Sequence, residues 1–406
     1  MKKIAVFAMS VALPEEKGYT RFRYLSEFLV QHGFEVDLIT SSFQHWEKAQ
    51  RDLAKWENIK LPYNLHFINE PGYKKNIDLR RVRSHSIAAK NVAAFLERHS
   101  DYDLMYIQLP PNDVAAVITS FGQAKKIPVI VDVNDLWPEA MRMVLDVPVI
   151  SDAIFYPLLR DAEKVYGAIS GVIGTSDEYR DRPKNNNRDI PSATVYVGSE
   201  IAEFDAGVNE YSDEIVKPMD EFWVSYAGNL GTSYDIGTMI LASGELLKRG
   251  YKNIKMVIMG GGPKKEEFEK LAKSIDCNVE FIGYLPFKKM AAYLSKSDIL
   301  VNSFVKKAPQ SIVTKIGDYL AAGRPMINTC SSPEFRKKVD GDGFGVNVEA
   351  EDTAILADAI ERLYKDDALR AQMGEKARFI AETQFDRPKA YLKIIDMINL
   401  LIGEEK

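Results

Sequence analysis

Cysteine is almost absent from this sequence, with Cys277 and Cys330 the only two among 406 residues. There is no C-x-x-C and no histidine-rich tract, which argues against a disulfide framework or a structural zinc site and for a reducing compartment. An excess of charge of one sign is missing too, since 53 basic residues face 58 acidic ones for a net charge of −5. That balance argues against a nucleic-acid binder working through bulk charge. No uninterrupted apolar run reaches the roughly 20 residues needed to cross a bilayer. Lys2, Lys3 and the run Ile4 to Leu13 imitate a secretory signal, but the run is short and lacks a clear small-residue cleavage site. It is read as a buried first strand. The dinucleotide fingerprint G-x-G-x-x-G is also missing, because Gly260-Gly261-Gly262-Pro263 has the wrong spacing for it.

What is present is alternation. A hydrophobic content of 46% with 27% charged residues is that of a soluble globular protein, and 406 residues exceed one ordinary core. Apolar runs at KIAVFAM, FEVDLIT, NLHFI, YDLMYIQLP, PVIVDVN, GVIGTS and ATVYVG predict strands. Helices are expected between them at 21–31, 87–98, 114–125 and 151–168. Such βαβ succession builds a parallel sheet covered on both faces. Around 203–222 the text turns acidic and the periodicity fades, so a linker is expected there. A second series follows, with strands at WVSYA, KMVIM, NVEFI, DILVNSF, PMINTC and FGVNVEA and helices at 236–249, 264–275 and 287–295. Further helices are expected at 353–364, 368–384 and 389–402. The expected class is α/β, with doubly wound parallel-sheet domains over 1–205 and 206–385. The last segment, about 386–406, is expected to cross back onto the first domain.

The stretch that organises the second half is Ala308 to Pro325, APQSIVTKIGDYLAAGRP. Gln310 and Asp318 stand eight positions apart with Lys315 between them. A helix beginning near Ser311 would point its first N–H groups, Thr314 and Lys315 at an anion such as a phosphate, and let Asp318 accept two sugar or ribose hydroxyls. Taken alone, these residues are better explained by an amphipathic helix with a solvated lysine and aspartate. Three further strand-end loops change the weighting. Gly228-Asn229-Leu230-Gly231 lets backbone approach a ligand and offers its N–H groups. Gly260-Gly261-Gly262-Pro263 opens a helix, and Gly283-Tyr284-Leu285-Pro286 is placed to hold a flat base by its edge. Each is equally open to a plain turn. Ligands of such sheets bind beyond the carboxyl ends of the strands, and for two domains the shared cleft is the expected site.

The order and spacing of these loops, with DVNDLWPEA in the first half, the Gly18-Tyr19-Thr20-Arg21 turn and YVGSEIAEF, resemble the family 4 glycosyltransferases. These are retaining, nucleotide-sugar-dependent enzymes of the GT-B fold, and the pattern is nearest to bacterial enzymes that build surface polysaccharides and lipid-linked glycans. The resemblance implies two Rossmann-like domains facing a central cleft and metal-independent glycosyl transfer without a cofactor. The implied partners are a nucleotide diphosphate sugar donor and a glycan or polyprenyl-diphosphate-linked acceptor, not nucleic acid. The implied place is the cytoplasm, with peripheral contact at the inner face of the membrane left open.

In that family an acid pair marks the donor site; here it reads Gln310 and Asp318, and the missing carboxylate at Gln310 departs from the pattern. The loop after the first strand of the second domain usually carries Arg and Lys. Here it shows Asn229 and Tyr234-Asp235, so Lys315 is expected to take over that charge. The expected catalytic residues are Lys315, Asp135 and Gln310. Donor contacts are expected from Gly228, Asn229, Gly231, Gly260, Gly261, Gly283, Tyr284, Ser311, Thr314, Lys315 and Asp318. Acceptor contacts are expected from Gly18, Tyr19, Arg21, Trp137 and Glu139, with the Trp137 indole stacking on a sugar. For Asp135 and Trp137 a helix cap and a core side chain fit equally well. Lys74, Lys75, Arg80, Arg81 and Arg83, with Trp46 and Trp56 nearby, form either a solvated basic face or a seat on anionic lipid that receives a lipid-diphosphate acceptor. A catalytically silent sugar-nucleotide binder and a GT-B epimerase are the alternatives.

Overall fold

The computed structural model describes residues 1–76, 78–137, 150–185, 189–308 and 312–403. The chain divides into two units, Met1–Val195 with Tyr391–Lys406, and Tyr196–Ala390. In the first unit the strands are β1 (Lys3–Phe7), β2 (Glu35–Ser41), β3 (Phe43–Gln44), β4 (Ala49–Gln50), β5 (Asn64–Ile68), β6 (Leu104–Leu109), β7 (Val129–Val133), β8 (Gly171–Gly174) and β9 (Ser192–Thr194). Seven of these form one sheet in the order β5-β2-β1-β6-β7-β8-β9, every pairing parallel. The short β3 and β4 pair antiparallel beside it. Strands buried on both faces read as unbroken apolar runs, and Leu104, Met105, Tyr106 and Ile107 of β6 are accordingly all within 1% of full burial.

The second unit repeats the scheme with β10 (Phe222–Ala227), β11 (Ile254–Met259), β12 (Val279–Gly283), β13 (Ile299–Asn302), β14 (Met326–Asn328) and β15 (Gly345–Asn347). Their order is β12-β11-β10-β13-β14-β15, again all parallel. Chain order reverses between β10 and β13. The crevice beyond the carboxyl ends of those two strands is the topological switch point, where ligands of doubly wound sheets bind.

Three helices depart from the sequence expectation. The helix Leu79–Arg98 begins ahead of Ile87, because Asp78 caps it by accepting from the Arg80 amide at 2.9 Å. The acidic stretch expected as a linker is folded from Ile201 to Tyr211. Its acidic face hid an apolar stripe, Ile201, Phe204 and Val208, that packs into the second core. Gly207 lies so close to the helix Phe287–Lys296 that a Cβ there would stand 2.5 Å from the Lys288 Cα. The segment between β14 and β15, left without an element by the sequence, is the helix Pro333–Asp342, capped by Ser332 and stopped by Gly343 at φ 68°. The last helix, Leu392–Ile402, packs within the first unit, where the Met397 sulfur would stand 3.0 Å from a Cβ on Gly171.

Candidate functional site

At the second domain's switch point the loops after β10, β11 and β12 are bonded to one another. The Gly228 amide donates to Met259 O at 3.0 Å, Leu230 to Gly261 O at 2.9 Å, and Gly260 to Gly283 O at 2.7 Å. These loops therefore approach as backbone, and a Cβ on Gly260 would stand 1.8 Å from the Gly228 carbonyl oxygen at a φ of 133°. The expectation of free amides at Gly228 is corrected, because that N–H is already bonded within the sheet edge. The Asn229 side chain is exposed at the loop tip, with its amide nitrogen 3.0 Å from where a Cβ on Gly231 would stand. Tyr284, beyond β12, presents a ring that is 75% exposed.

The organising helix is shorter than expected. It runs Lys315–Ala321, with Thr314 in helical geometry before it and no side-chain cap. A start near Ser311 is corrected to Lys315; Gln310 and Ser311 themselves lie outside the described residues, so the eight-residue pair is represented by Asp318 alone. Two contacts clamp the helix. The Tyr319 hydroxyl accepts from the Ala227 amide at 2.7 Å, and Gly317 rests against Gly198 and Ser199, from which a Cβ would be 2.8 Å.

Lys315 points inward. Its Nζ is buried without a hydrogen-bond partner among the described residues. It lies 4.1 Å from the Tyr226 ring centroid, 4.2 Å from Tyr234, 5.3 Å from Phe304 and 6.0 Å from Tyr319. Burial drives its pKa well below the ordinary lysine value, against a smaller upward pull from Cys330. Ring faces offset part of the cost of burying the ammonium, but among the described residues no carboxylate does. The cage is fixed to the strand end, since the Tyr226 hydroxyl donates to Asn229 O at 2.8 Å. Asp235 does not join it. That side chain caps the helix Ile236–Lys248 through the Thr238 amide at 3.1 Å and accepts from the Glu351 amide at 3.1 Å.

One turn further along, burial raises the Asp318 carboxyl to about 6, opposed by the Ser199 hydroxyl and the Arg387 guanidinium. Arg387, expected only as an interruption, holds the 197–200 segment by donating to Val197 O at 3.1 Å, Gly198 O at 3.2 Å and Glu200 at 3.0 Å.

On the first domain the structure separates the expected acceptor residues. Arg21 is wholly buried, with Nε 2.8 Å from Asp132 and Nη1 3.2 Å from the Tyr391 hydroxyl. This corrects its role to one in the fold, because no ligand reaches a side chain with 0% exposure. Tyr19 donates to Asn134 Oδ1 at 2.6 Å, and Gly18 at φ 134° faces the Trp46 ring. Trp137 is only 9% exposed; its Nε1 donates to Asp135 at 3.1 Å and the Arg81 guanidinium lies 4.3 Å over its ring. The expected sugar-stacking role is corrected accordingly, since arginine covers that face. Glu139 lies outside the described residues. Of the basic cluster, Lys74, Lys75, Arg80 and Arg83 are exposed while Arg81 turns in, and Trp46 is 51% exposed while Trp56 is buried. The sequence reading missed His45, Lys48, Tyr73 and His85, which surround Arg81; the strand-end rule applied to the loops after β2 and β5 was the signal that would have found them.

Among the described residues no three His, Cys, Asp or Glu side chains group as a metal set, and no helix is long and apolar enough to cross a membrane.

Residues 221–366 match the family Glycosyl transferases group 1. The chain is 26% identical over 156 residues to an alpha-D-kanosaminyltransferase of Streptomyces kanamyceticus, covering 38% of this chain and 39% of that protein. It is 24% identical over 218 residues to a D-inositol 3-phosphate glycosyltransferase of Corynebacterium diphtheriae, covering 51% and 50%. The aligned part thus spans half or less of these relatives' lengths. In fold, the whole chain is similar to sucrose-phosphate synthase from Thermosynechococcus elongatus, with a TM-score of 0.73 at 17% identity over 99% of this chain and 100% of that one. It is also similar to Anabaena Alr3699/HepE solved in complex with UDP, with a TM-score of 0.71 at 14% identity over 98% and 100%. The fold is that of the GT-B glycosyltransferases.

Proposed function

We propose that this chain, whose residues 221–366 are a Glycosyl transferases group 1 domain, is a retaining glycosyltransferase. It takes a sugar from a nucleoside diphosphate sugar held on the second domain and passes it to a hydroxyl of a glycan or lipid-linked glycan. The observation that carries the reading is the unpartnered, buried ammonium of Lys315 at the β10/β13 switch point. The neighbouring loop, which in the resembling family carries the diphosphate-binding cations, has none here, and Lys315 brings one beneath it.

Breaking a sugar–phosphate bond develops negative charge on the departing diphosphate. A donor already in place and desolvated meets that charge without reorganisation, and removing one such donor typically costs about 2.7 to 4 kcal/mol of barrier. Gly261, with nothing within 4 Å of where its Cβ would stand, leaves the phosphates room at the loop, and Asp318 accepts from the ribose hydroxyls. Retention follows if the leaving phosphate takes the acceptor proton on the same face, which needs no protein nucleophile. Lys315 then meets the charge in place of a metal ion. The UDP bound to Alr3699/HepE makes uridine the first base to try.

The test is calorimetric titration with UDP, GDP, ADP and TDP, followed by product analysis with the matching sugar nucleotides in the presence of EDTA. Binding of one nucleotide with transfer of its sugar, α to α and unaffected by EDTA, is expected. Tight binding with no transfer to any acceptor would instead support the silent binder, and an epimeric sugar product formed from donor alone the epimerase.

A further inference from the structure

On the first domain two further cations, Lys48 and Arg81, stand side by side, and among the described residues only the more distant carboxylates of Glu70 and Asp135 act on Arg81. Lys48, from the turn between β3 and β4, and Arg81, from the first turns of the helix Leu79–Arg98, are held side by side by Asn76. Its Oδ1 accepts from Lys48 Nζ at 2.7 Å and its carbonyl from Arg81 Nη1 at 2.9 Å. Both cations also flank one ring, 5.0 and 5.3 Å from the Tyr73 centroid. Neither has a carboxylate within ion-pair distance among the described residues, and the Arg81 Nε is buried without a hydrogen-bond partner. Arg81, with most of its guanidinium out of water and Lys48 beside it, carries charge that a bound anion would offset.

Their field registers on the neighbours. Burial, then Lys48 and Arg81, bring His45 down to about 3; burial, then Arg81 and His45, do the same to His85. Burial and Arg81 lower Lys48 to about 8. The His45 Nδ1 shares a 2.5 Å hydrogen bond with the Tyr73 hydroxyl, so a neutral imidazole is bonded into the same cluster. His45, Lys48 and Tyr73 stand on the segments that follow β2 and β5, and Arg81 and His85 on the helix Leu79–Arg98 that follows the second, at the carboxyl edge of the sheet.

We propose that Lys48 and Arg81 form a phosphate subsite, and that the acceptor carries a phosphate group bound there while its hydroxyl is glycosylated. A guanidinium with an adjacent ammonium suits phosphate oxygens better than a neutral sugar. The subsite's role rests on the transferase reading, but its binding does not.

Inorganic phosphate is titrated calorimetrically into the full chain carrying Lys315→Met, so that the second domain's cation does not contribute. Ionic strength is held constant. Saturable binding is expected, weakened at least tenfold by adding Lys48→Met or Arg81→Met. Glucose 6-phosphate and vesicles of phosphatidylcholine with phosphatidic acid form two further arms; tighter binding of the first supports a soluble phosphorylated acceptor, and of the second a lipid-borne one. Absence of phosphate binding, or binding indifferent to Lys48→Met, overturns the subsite. Should Arg81→Met fail to fold, the more peripheral Lys48→Met decides. Binding of one of the four nucleotides by the unsubstituted chain without phosphate binding refutes this subsite alone, and phosphate binding with none of the four nucleotides bound refutes the transferase reading alone.

Discussion

Lys315 Nζ stands 3.5 Å from where a side chain on Gly228 would begin, and 4.1 and 4.2 Å from the Tyr226 and Tyr234 ring centroids. An ammonium in that position is unfavourable for the empty domain and useful for a domain holding an anion. Replacing it therefore acts in two directions. Lys315→Met is expected to raise the melting temperature, because a buried amine without a hydrogen-bond partner among the described residues gives way to an apolar chain of similar length. The same variant is expected to lose transfer and to bind the nucleotide at least tenfold more weakly, about 1.4 kcal/mol or more. Thermal unfolding and calorimetry on one preparation check both, and an unchanged turnover would remove the charge role.

The depressed lysine also predicts proton uptake. In the free domain burial holds its pKa well below 10.5, and a bound diphosphate raises it. Between those two values the complex binds a proton that the free protein lacks, so affinity falls as pH rises. Calorimetry across a range of pH in two buffers of different ionisation enthalpy reads the uptake directly. Its disappearance in Lys315→Met assigns it.

The sheets were legible because doubly covered parallel strands leave apolar runs such as Leu104 to Ile107, whose neighbours cannot disguise them. The helix Ile201–Tyr211 was not, since its acidic outer face outweighs three apolar positions when the partner helix is unknown. The loops of the candidate site could be placed at strand ends, but side-chain direction could not. Whether Lys315 faces water or a cage depends on Tyr226, Tyr234 and Phe304, which reach it from β10, the loop after it and the loop after β13. Arg21 shows the converse: its turn was located correctly, yet Asp132 and Tyr391, distant in sequence, draw it inside.

Asp318 should be a stability liability kept for binding. Its folded value of about 6 exceeds the ordinary 3.8, so the folded state holds an extra proton between about pH 4 and pH 6. Its contribution is best below that window, and stability falls as pH rises through it. Asp318→Asn is expected to remove the fall and to be the more stable protein near pH 7.5. It is also expected to bind the nucleotide several-fold more weakly, because a charged acceptor of hydroxyl protons is lost. Denaturation midpoints across pH 4 to 8 give the first result and UDP titration the second.

Two adjacent glycines offer a matched pair. At Gly260 a Cβ meets the Gly228 carbonyl at 1.8 Å and φ is 133°, whereas at Gly261 nothing stands within 4 Å. Gly260→Ala is expected to cost about 3 kcal/mol and to displace the loop that approaches the ligand. Gly261→Ala should change stability by less than about 0.5 kcal/mol. Equal effects in urea unfolding would show that the close approach of the two loops is not what holds them.

Arg21 ties the first helix to the chain's last segment. It pairs with Asp132 at 2.8 Å, donates to the Tyr391 hydroxyl at 3.2 Å and lies over that ring at 5.1 Å, all out of water. Arg21→Met leaves Asp132 buried with, among the described residues, the Tyr106 hydroxyl at 2.6 Å and the Asn134 side-chain amide at 3.0 Å. Removing one partner of such a pair typically costs about 3 to 5 kcal/mol, while replacing both by apolar groups restores much of it. The single variant should therefore unfold its own domain early and let amides of Leu392–Ile402 exchange faster. UDP affinity, set by the other unit, should hold. Adding Asp132→Leu should recover most of the stability without recovering the hydrogen bond to Tyr391. A double variant no more stable than the single one would mean that Arg21 acts through Tyr391 and not through its charge on Asp132.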